Sequence, residues 1–109
     1  MEEFKLNEEL TIIKQVKFEN DYHVLLVEYL MNKSPYYVVG LFRDNYSPLI
    51  MEIYERIEMI LTDKFCGEKL YNTLYEAEQR FKVELREAPD NIKENEEIDI
   101  AFKSISSNK

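Results

Sequence analysis

Glycine is almost missing from this chain. Gly40 and Gly67 are the two among 109 residues, so a glycine-rich loop that wraps a phosphate with backbone N–H groups cannot be built. Cysteine is as scarce. Cys66 stands alone, which excludes an intramolecular disulfide and a multi-thiolate zinc site within one chain. Long apolar runs are also lacking. The longest, Val24 to Val27 and Tyr36 to Phe42, fall far short of the roughly 20 residues a membrane-spanning helix needs. The opening Met1-Glu2-Glu3-Phe4-Lys5 has no apolar core of a secretory leader, so a cytoplasmic location is expected.

Histidine occurs once, as His23. With Cys66 it makes the one conceivable nucleophile–base pair, but nothing near either residue supplies the electropositive niche that lowers a thiol pKa. His23 sits in a strand-like run, where a structural or surface role is expected. Carboxylates crowd at Glu94, Glu96, Glu97 and Asp99. A calcium loop would need a glycine at its sharp turn and oxygen ligands at alternating positions. This run has no glycine and reads as a solvated acidic segment. No catalytic residue, cofactor or metal ligand is therefore expected, and a non-enzymatic protein is.

What the chain does have is acid. Twenty-two acidic residues against 14 basic ones give a net charge of −8. Direct contact with DNA or RNA phosphates, or with an anionic membrane, needs a basic surface. Both are disfavoured, while a basic protein partner would be attracted.

The patterning predicts an α+β fold in one domain spanning residues 1–109. Residues 1–10 read as a short helix or a loose lead-in. Thr11 to Glu19 reads as a half-buried edge strand, with Ile12, Val16 and Phe18 on one parity interrupted by Lys14, and Glu19-Asn20-Asp21 supplies turn chemistry. Tyr22 to Met31 carries apolar residues on both parities, the mark of a strand covered on both faces. After a turn at Asn32-Lys33-Ser34-Pro35, Tyr36 to Arg43 repeats the pattern, Tyr37, Val39 and Leu41 facing one way and Tyr36, Val38 and Phe42 the other. Three such runs with short links make an antiparallel meander.

A helix is predicted from Pro48 to about Thr62, capped by Ser47, because Ile50, Ile53, Tyr54, Ile57, Ile60 and Leu61 recur at helical spacing. A strand competes there, since Met51, Ile53, Ile57, Met59 and Leu61 share a parity. A connection follows, with a turn at Cys66-Gly67-Glu68 and a short strand at Lys69 to Tyr71. Thr73 and Glu76 then form a capping box before the stripe Leu74, Ala77, Phe81 and Leu85. Glu76–Arg80 and Glu78–Lys82 fit i,i+4 pairs, and Pro89 is expected to stop this second helix. Residues 90–109 form a polar tail in which alternating Ile98, Ile100 and Phe102 suggest a further edge strand. The expected architecture is thus a three-stranded antiparallel meander, with room for a fourth edge strand, packed against two helices.

Eight tyrosines supply broad, rigid contact area with a polar tip. On the first helix Glu52, Glu55 and Glu58 recur every three residues, away from Ile53 and Ile57. On the second, Tyr75, Glu76 and Glu78 share the wet side. These six residues are the expected partner-binding set, because a row of carboxylates can imitate phosphates in a basic groove. The same acidic chain could instead assemble with itself, pairing edge strands such as Thr11–Glu19 into a homo-oligomer.

The runs Tyr22-His23-Val24-Leu25-Leu26-Val27-Glu28-Tyr29, Tyr37-Val38-Val39-Gly40 and Thr73-Leu74-Tyr75-Glu76-Ala77-Glu78 resemble small acidic accessory proteins of Gram-positive phages and mobile elements, some of them anti-CRISPR proteins. The likeness covers about residues 11–87 and lies in pattern. Anti-CRISPR proteins share no common signature, so no functional residue transfers. The resemblance implies a stoichiometric inhibitor that binds a nuclease complex and blocks its DNA or its conformational cycle. Lysines and arginines interspersed among the acids distinguish this chain from a pure DNA mimic.

Overall fold

The computed structural model describes residues 3–43, 48–62 and 69–107. Its centre is a four-stranded antiparallel sheet in sequential order, β1 (Phe4–Lys5), β2 (Leu10–Lys17), β3 (Tyr22–Met31) and β4 (Ser34–Arg43). The opening residues are therefore neither helix nor loose lead-in. Phe4 and Lys5 pair with Ile12 and Thr11, and Asn7 holds the tight return by accepting from the backbone N–H groups of Glu9 and Leu10 at 2.9 and 2.8 Å.

Both long hairpins turn through pairs of residues with positive φ. Asn20 and Asp21 lie at 61° and 66°, Asn32 and Lys33 at 53° and 69°. Two successive left-handed residues match the twist of the flanking strands, and asparagine tolerates that region better than most side chains. The second turn is tighter than the sequence suggests. Ser34 and Pro35 already belong to β4, opposite Met31 and Leu30. Proline is admissible there because β4 is an edge strand and needs no donor on its outer side.

The strands explain why apolar residues fall on both parities. Leu25, Val27, Val38 and Phe42 look to one face, where they meet Ile53 and Ile57 of α1 (Leu49–Leu61). Val24, Leu26 and Val39 look to the other, where they meet Ala77, Phe81 and Ala88 of α2 (Leu74–Ser107). The sheet is thus the middle of three layers, with one helix on each face. In β2 the expected single parity does not hold. Leu10 and Ile12 pack toward α1, Ile13, Val16 and Phe18 toward α2. A bulge between Ile12 and Lys14 inserts one extra residue and flips every later side chain.

Residues 49–61 are helical, which decides against the competing strand. Pro48 occupies the N-cap, one place before the expected first helical position, and Ser47 lies outside the described residues, as does the expected turn at 66–68. Tyr71 makes one antiparallel bridge to Tyr37 rather than a short strand.

The main departure is α2. It does not stop at Pro89 but runs for 34 residues with that proline inside it, so the expected edge strand around Ile98, Ile100 and Phe102 is helical. At about 1.5 Å per residue such a helix spans about 51 Å, which matches the longest molecular dimension, 51 Å against 26 and 24 Å for the others. Its start follows the sequence: the Glu76 backbone N–H donates to Thr73 Oγ1 at 3.2 Å, and the hydroxyl donates to the Glu76 carboxylate at 3.1 Å. Its passage through Pro89 has a tertiary cause. Ala88 and Ile92, on either side, are buried, and Glu96 accepts from Asn20 of the β2–β3 turn. These contacts hold the downstream turns in line although Pro89 supplies no N–H to the ladder.

Candidate interaction surface

The six residues expected to bind a partner do not form one surface. Glu52, Glu55 and Glu58 stand on α1, Tyr75, Glu76 and Glu78 on α2, and the sheet separates the two helices. Within each trio the side chains differ. Glu55 and Glu58 are exposed, and Glu52 is half-buried beside Arg43 and Arg56. Tyr75 is the most exposed of the large hydrophobic side chains described, at 73%. Glu76 is engaged in the cap of α2. Glu78 bonds not its helical neighbour but Lys14 of β2, Nζ to Oε2 at 2.8 Å. Arg80 reaches forward to Glu84, through Nε at 3.1 Å and Nη2 at 2.7 Å. That pair sits against the sheet, and Glu84 is, with His23, one of the two buried polar or charged residues among those described. His23 lies within the sheet, Nδ1 2.9 Å from Gln15 Nε2.

A better acidic row appears where the sequence showed only a tail. Because α2 continues past Pro89, Glu87, Asp90, Glu94 and Glu97 recur at intervals of three, four and three residues, and all four are exposed. That spacing keeps them on one helical face over about 15 Å. Lys93 is the one base between Glu87 and Glu97. The signal was present in the sequence as i,i+3,i+7,i+10 acids, but it acquires meaning only if the helix is unbroken.

The edges of the sheet are closed to easy pairing. On β2 the bulge, Lys14 and Lys17 interrupt a regular ladder, devices that discourage a second strand from adding. On β4, Tyr71 exchanges two backbone hydrogen bonds with Tyr37 at 2.9 and 2.8 Å. Farther along, Arg56 of α1 lies over the strand, donating from Nη2 to the Leu41 carbonyl at 2.9 Å, its guanidinium 4.5 Å from the Phe42 ring centre. Gly40 makes this possible, since a Cβ there would sit 2.5 Å from Arg56 Nη1.

Beside this edge, where both helices approach it, two adjoining hollows of about 330 and 320 Å³ share Leu41, Arg56 and Asn95. Arg43 and Arg80 line them too, and so do Glu52, Glu84, Glu87 and Glu94. Charges of both signs face each other there, and among the described residues of the lining there is no histidine, cysteine or serine. Tyr37, near the other end of β4, is held above the ordinary phenol pKa by burial, and then by the Glu28 carboxylate that it hydrogen-bonds. Among the described residues, no group of three histidine, cysteine or acidic side chains is placed to hold a metal ion, and no helix is long and apolar enough to cross a membrane. No family model, no curated protein and no solved structure matches the chain.

Proposed function

We propose that this protein is a non-enzymatic binding module for a basic protein partner, and that it acts by occupying a cationic nucleic-acid-binding groove, in the manner of the inhibitors its sequence resembles. The observation that carries this is the row Glu87, Asp90, Glu94 and Glu97, four exposed carboxylates on one face of a continuous helix. A preformed row loses little conformational freedom on binding and presents charge at fixed intervals, which favours fast, steered association. Of Tyr75, Glu76 and Glu78, the two glutamates spend their charge on a cap and an ion pair, and Tyr75 stays available at the start of the same helix.

The test is capture from a lysate of the native host with two baits, the wild-type chain and a variant carrying Glu87→Lys, Asp90→Lys, Glu94→Lys and Glu97→Lys. Raising the salt from about 0.1 M to about 1 M shortens the screening length from about 10 Å to about 3 Å. Wild type is expected to retain a nucleic-acid-handling protein with a basic channel at low salt and release it at high salt, and the variant is expected not to retain it. An identical set of captured proteins on both baits overturns the assignment.

A further inference from the structure

We infer that the outer face of α1 is a second docking surface, built to take a basic amphipathic helix from a partner protein. The inference does not rest on the acidic row of α2, which lies across the sheet.

Its basis is an excess of apolar side chains. Nine of the 13 residues of α1 are apolar, yet Ile53 and Ile57 alone are buried. Leu49, Ile50, Tyr54 and Ile60 pack partly against the core. Met51, Met59 and Leu61 remain 52%, 37% and 53% exposed. A helix lying on a sheet needs an apolar stripe on the side it buries, and Met51 and Met59 lie outside that stripe, on the face turned to solvent. Met51, Glu55 and Met59 follow at i, i+4 and i+8, so they form one ridge of about 12 Å opposite Ile53 and Ile57. Glu52 and Glu58 flank it, one on each side. Methionine is flexible and polarisable and adapts to varied apolar partners.

The charge selects the occupant. The open ionisable groups of the face are Glu55, between the two methionines, and Glu58 beside them. Glu52 is half-buried in the hollow that it shares with Arg43 and Arg56, and Arg56, the one arginine of α1, is turned to the β4 edge, where it bonds Leu41. A second copy of this face would set two carboxylates against two, so self-pairing through it is opposed. A helix with apolar residues along one stripe and lysines or arginines among them would seat its apolar side chains on Met51 and Met59 and its cations on Glu55 and Glu58. This is recognition of an amphipathic helix by anchors at i and i+4 spacing, read here from the acceptor side.

The probe is a synthetic amphipathic peptide of leucine and lysine at helical spacing, with a scrambled peptide of the same composition as control. Binding is followed by fluorescence anisotropy, and the contact surface by backbone amide shifts. Wild type is expected to bind the amphipathic peptide at least about tenfold more tightly than the scrambled one, with shifts centred on residues 49–62. The double variant Met51→Ser, Met59→Ser is expected to lose about tenfold in affinity, even at salt that screens the glutamates. Both side chains are exposed, so the variant should keep the wild-type thermal midpoint, which a parallel melt checks. At salt that screens the charges, the fourfold lysine variant of α2 should bind the peptide as wild type does, so failure at one surface is distinguishable from failure at the other. Equal binding of the two peptides, equal binding by the methionine variant, or shifts centred on α2 overturns the inference.

Discussion

The two helices cover the same sheet from opposite sides and fit it in opposite ways. α1 has more apolar surface than the sheet can bury, so methionines and a leucine are left facing outward. α2 has more length than the sheet can cover. Among the residues whose burial is described, none beyond Ile92 is buried, and Ile98 and Ile100 are 58% and 65% exposed. The α1 layer is built from large side chains, Ile53 and Ile57 against Leu25, Val27, Val38 and Phe42. The α2 layer uses Ala77 and Ala88 around Phe81, and small side chains let a helix approach the strands closely. The comparison teaches that each helix carries a surplus beyond what folding uses, apolar on one side and acidic on the other, and these surpluses are the surfaces proposed to bind.

The sharpest way to probe the two layers is through neighbours in β3. Leu25 and Leu26 are both fully buried and face opposite helices. Leu25→Ala and Leu26→Ala should each destabilise by about 2–5 kcal/mol in denaturant unfolding, and a double variant close to additive would show that the sheet insulates the layers. A far smaller loss for Leu26→Ala would break the picture of α2 as a true second layer.

Next in size is the buried pair on α2. Arg80→Leu should cost about 3 kcal/mol because it leaves the Glu84 carboxylate, 6% exposed, without its closest cation. Arg80→Met combined with Glu84→Leu should return most of that loss. Pro89→Ala should act in the other direction, stabilising by up to about 3 kcal/mol with a gain in helical circular dichroism, because it restores a donor in the middle of a continuous helix. No gain would indicate that residues beyond Pro89 are not helical, and the acidic row would go with them.

Smaller effects mark the helix start and surface. Thr73→Ala removes the cap of α2 and should cost about 1 kcal/mol. Lys14→Ala breaks an ion pair whose side chains are 39% and 35% exposed and should cost at most about 1 kcal/mol, less at high salt. Last, pH: because the fold raises the Tyr37 pKa, the fold favours the neutral phenol. The associated stability is fully present below the ordinary phenol pKa of about 10 and is lost as pH rises through the folded value. Tyr37→Phe should flatten that alkaline loss in thermal midpoints measured against pH.

How much was legible depends on the range of the contact involved. The β3 boundaries, Tyr22 to Met31, coincide with the sequence expectation because turn residues bracket a run that is apolar on both parities. The capping box at Thr73 and Glu76 was equally readable, since four residues contain the whole interaction. The bulge in β2 was visible only as an awkward Lys14, because a pleat cannot be counted through an inserted residue. Glu78 could not be matched to Lys14, 64 positions away, and a local rule offered Lys82 instead. The candidate surfaces fared likewise: Glu55, Glu58 and Tyr75 are as exposed as expected, whereas the row from Glu87 to Glu97 was hidden behind the assumption that Pro89 ends a helix.

Sequence alone determined the three long strands, the two hairpins that join them, both helix starts to within a residue, and the excess of acid, because propensity, turn chemistry and periodicity act over a few neighbouring residues. Tertiary structure decided which helix covers which face, whether α2 survives its proline, and which carboxylates remain available. Those outcomes depend on packing and ion pairs between residues far apart in the chain, whose combined free energy outweighs one lost backbone hydrogen bond.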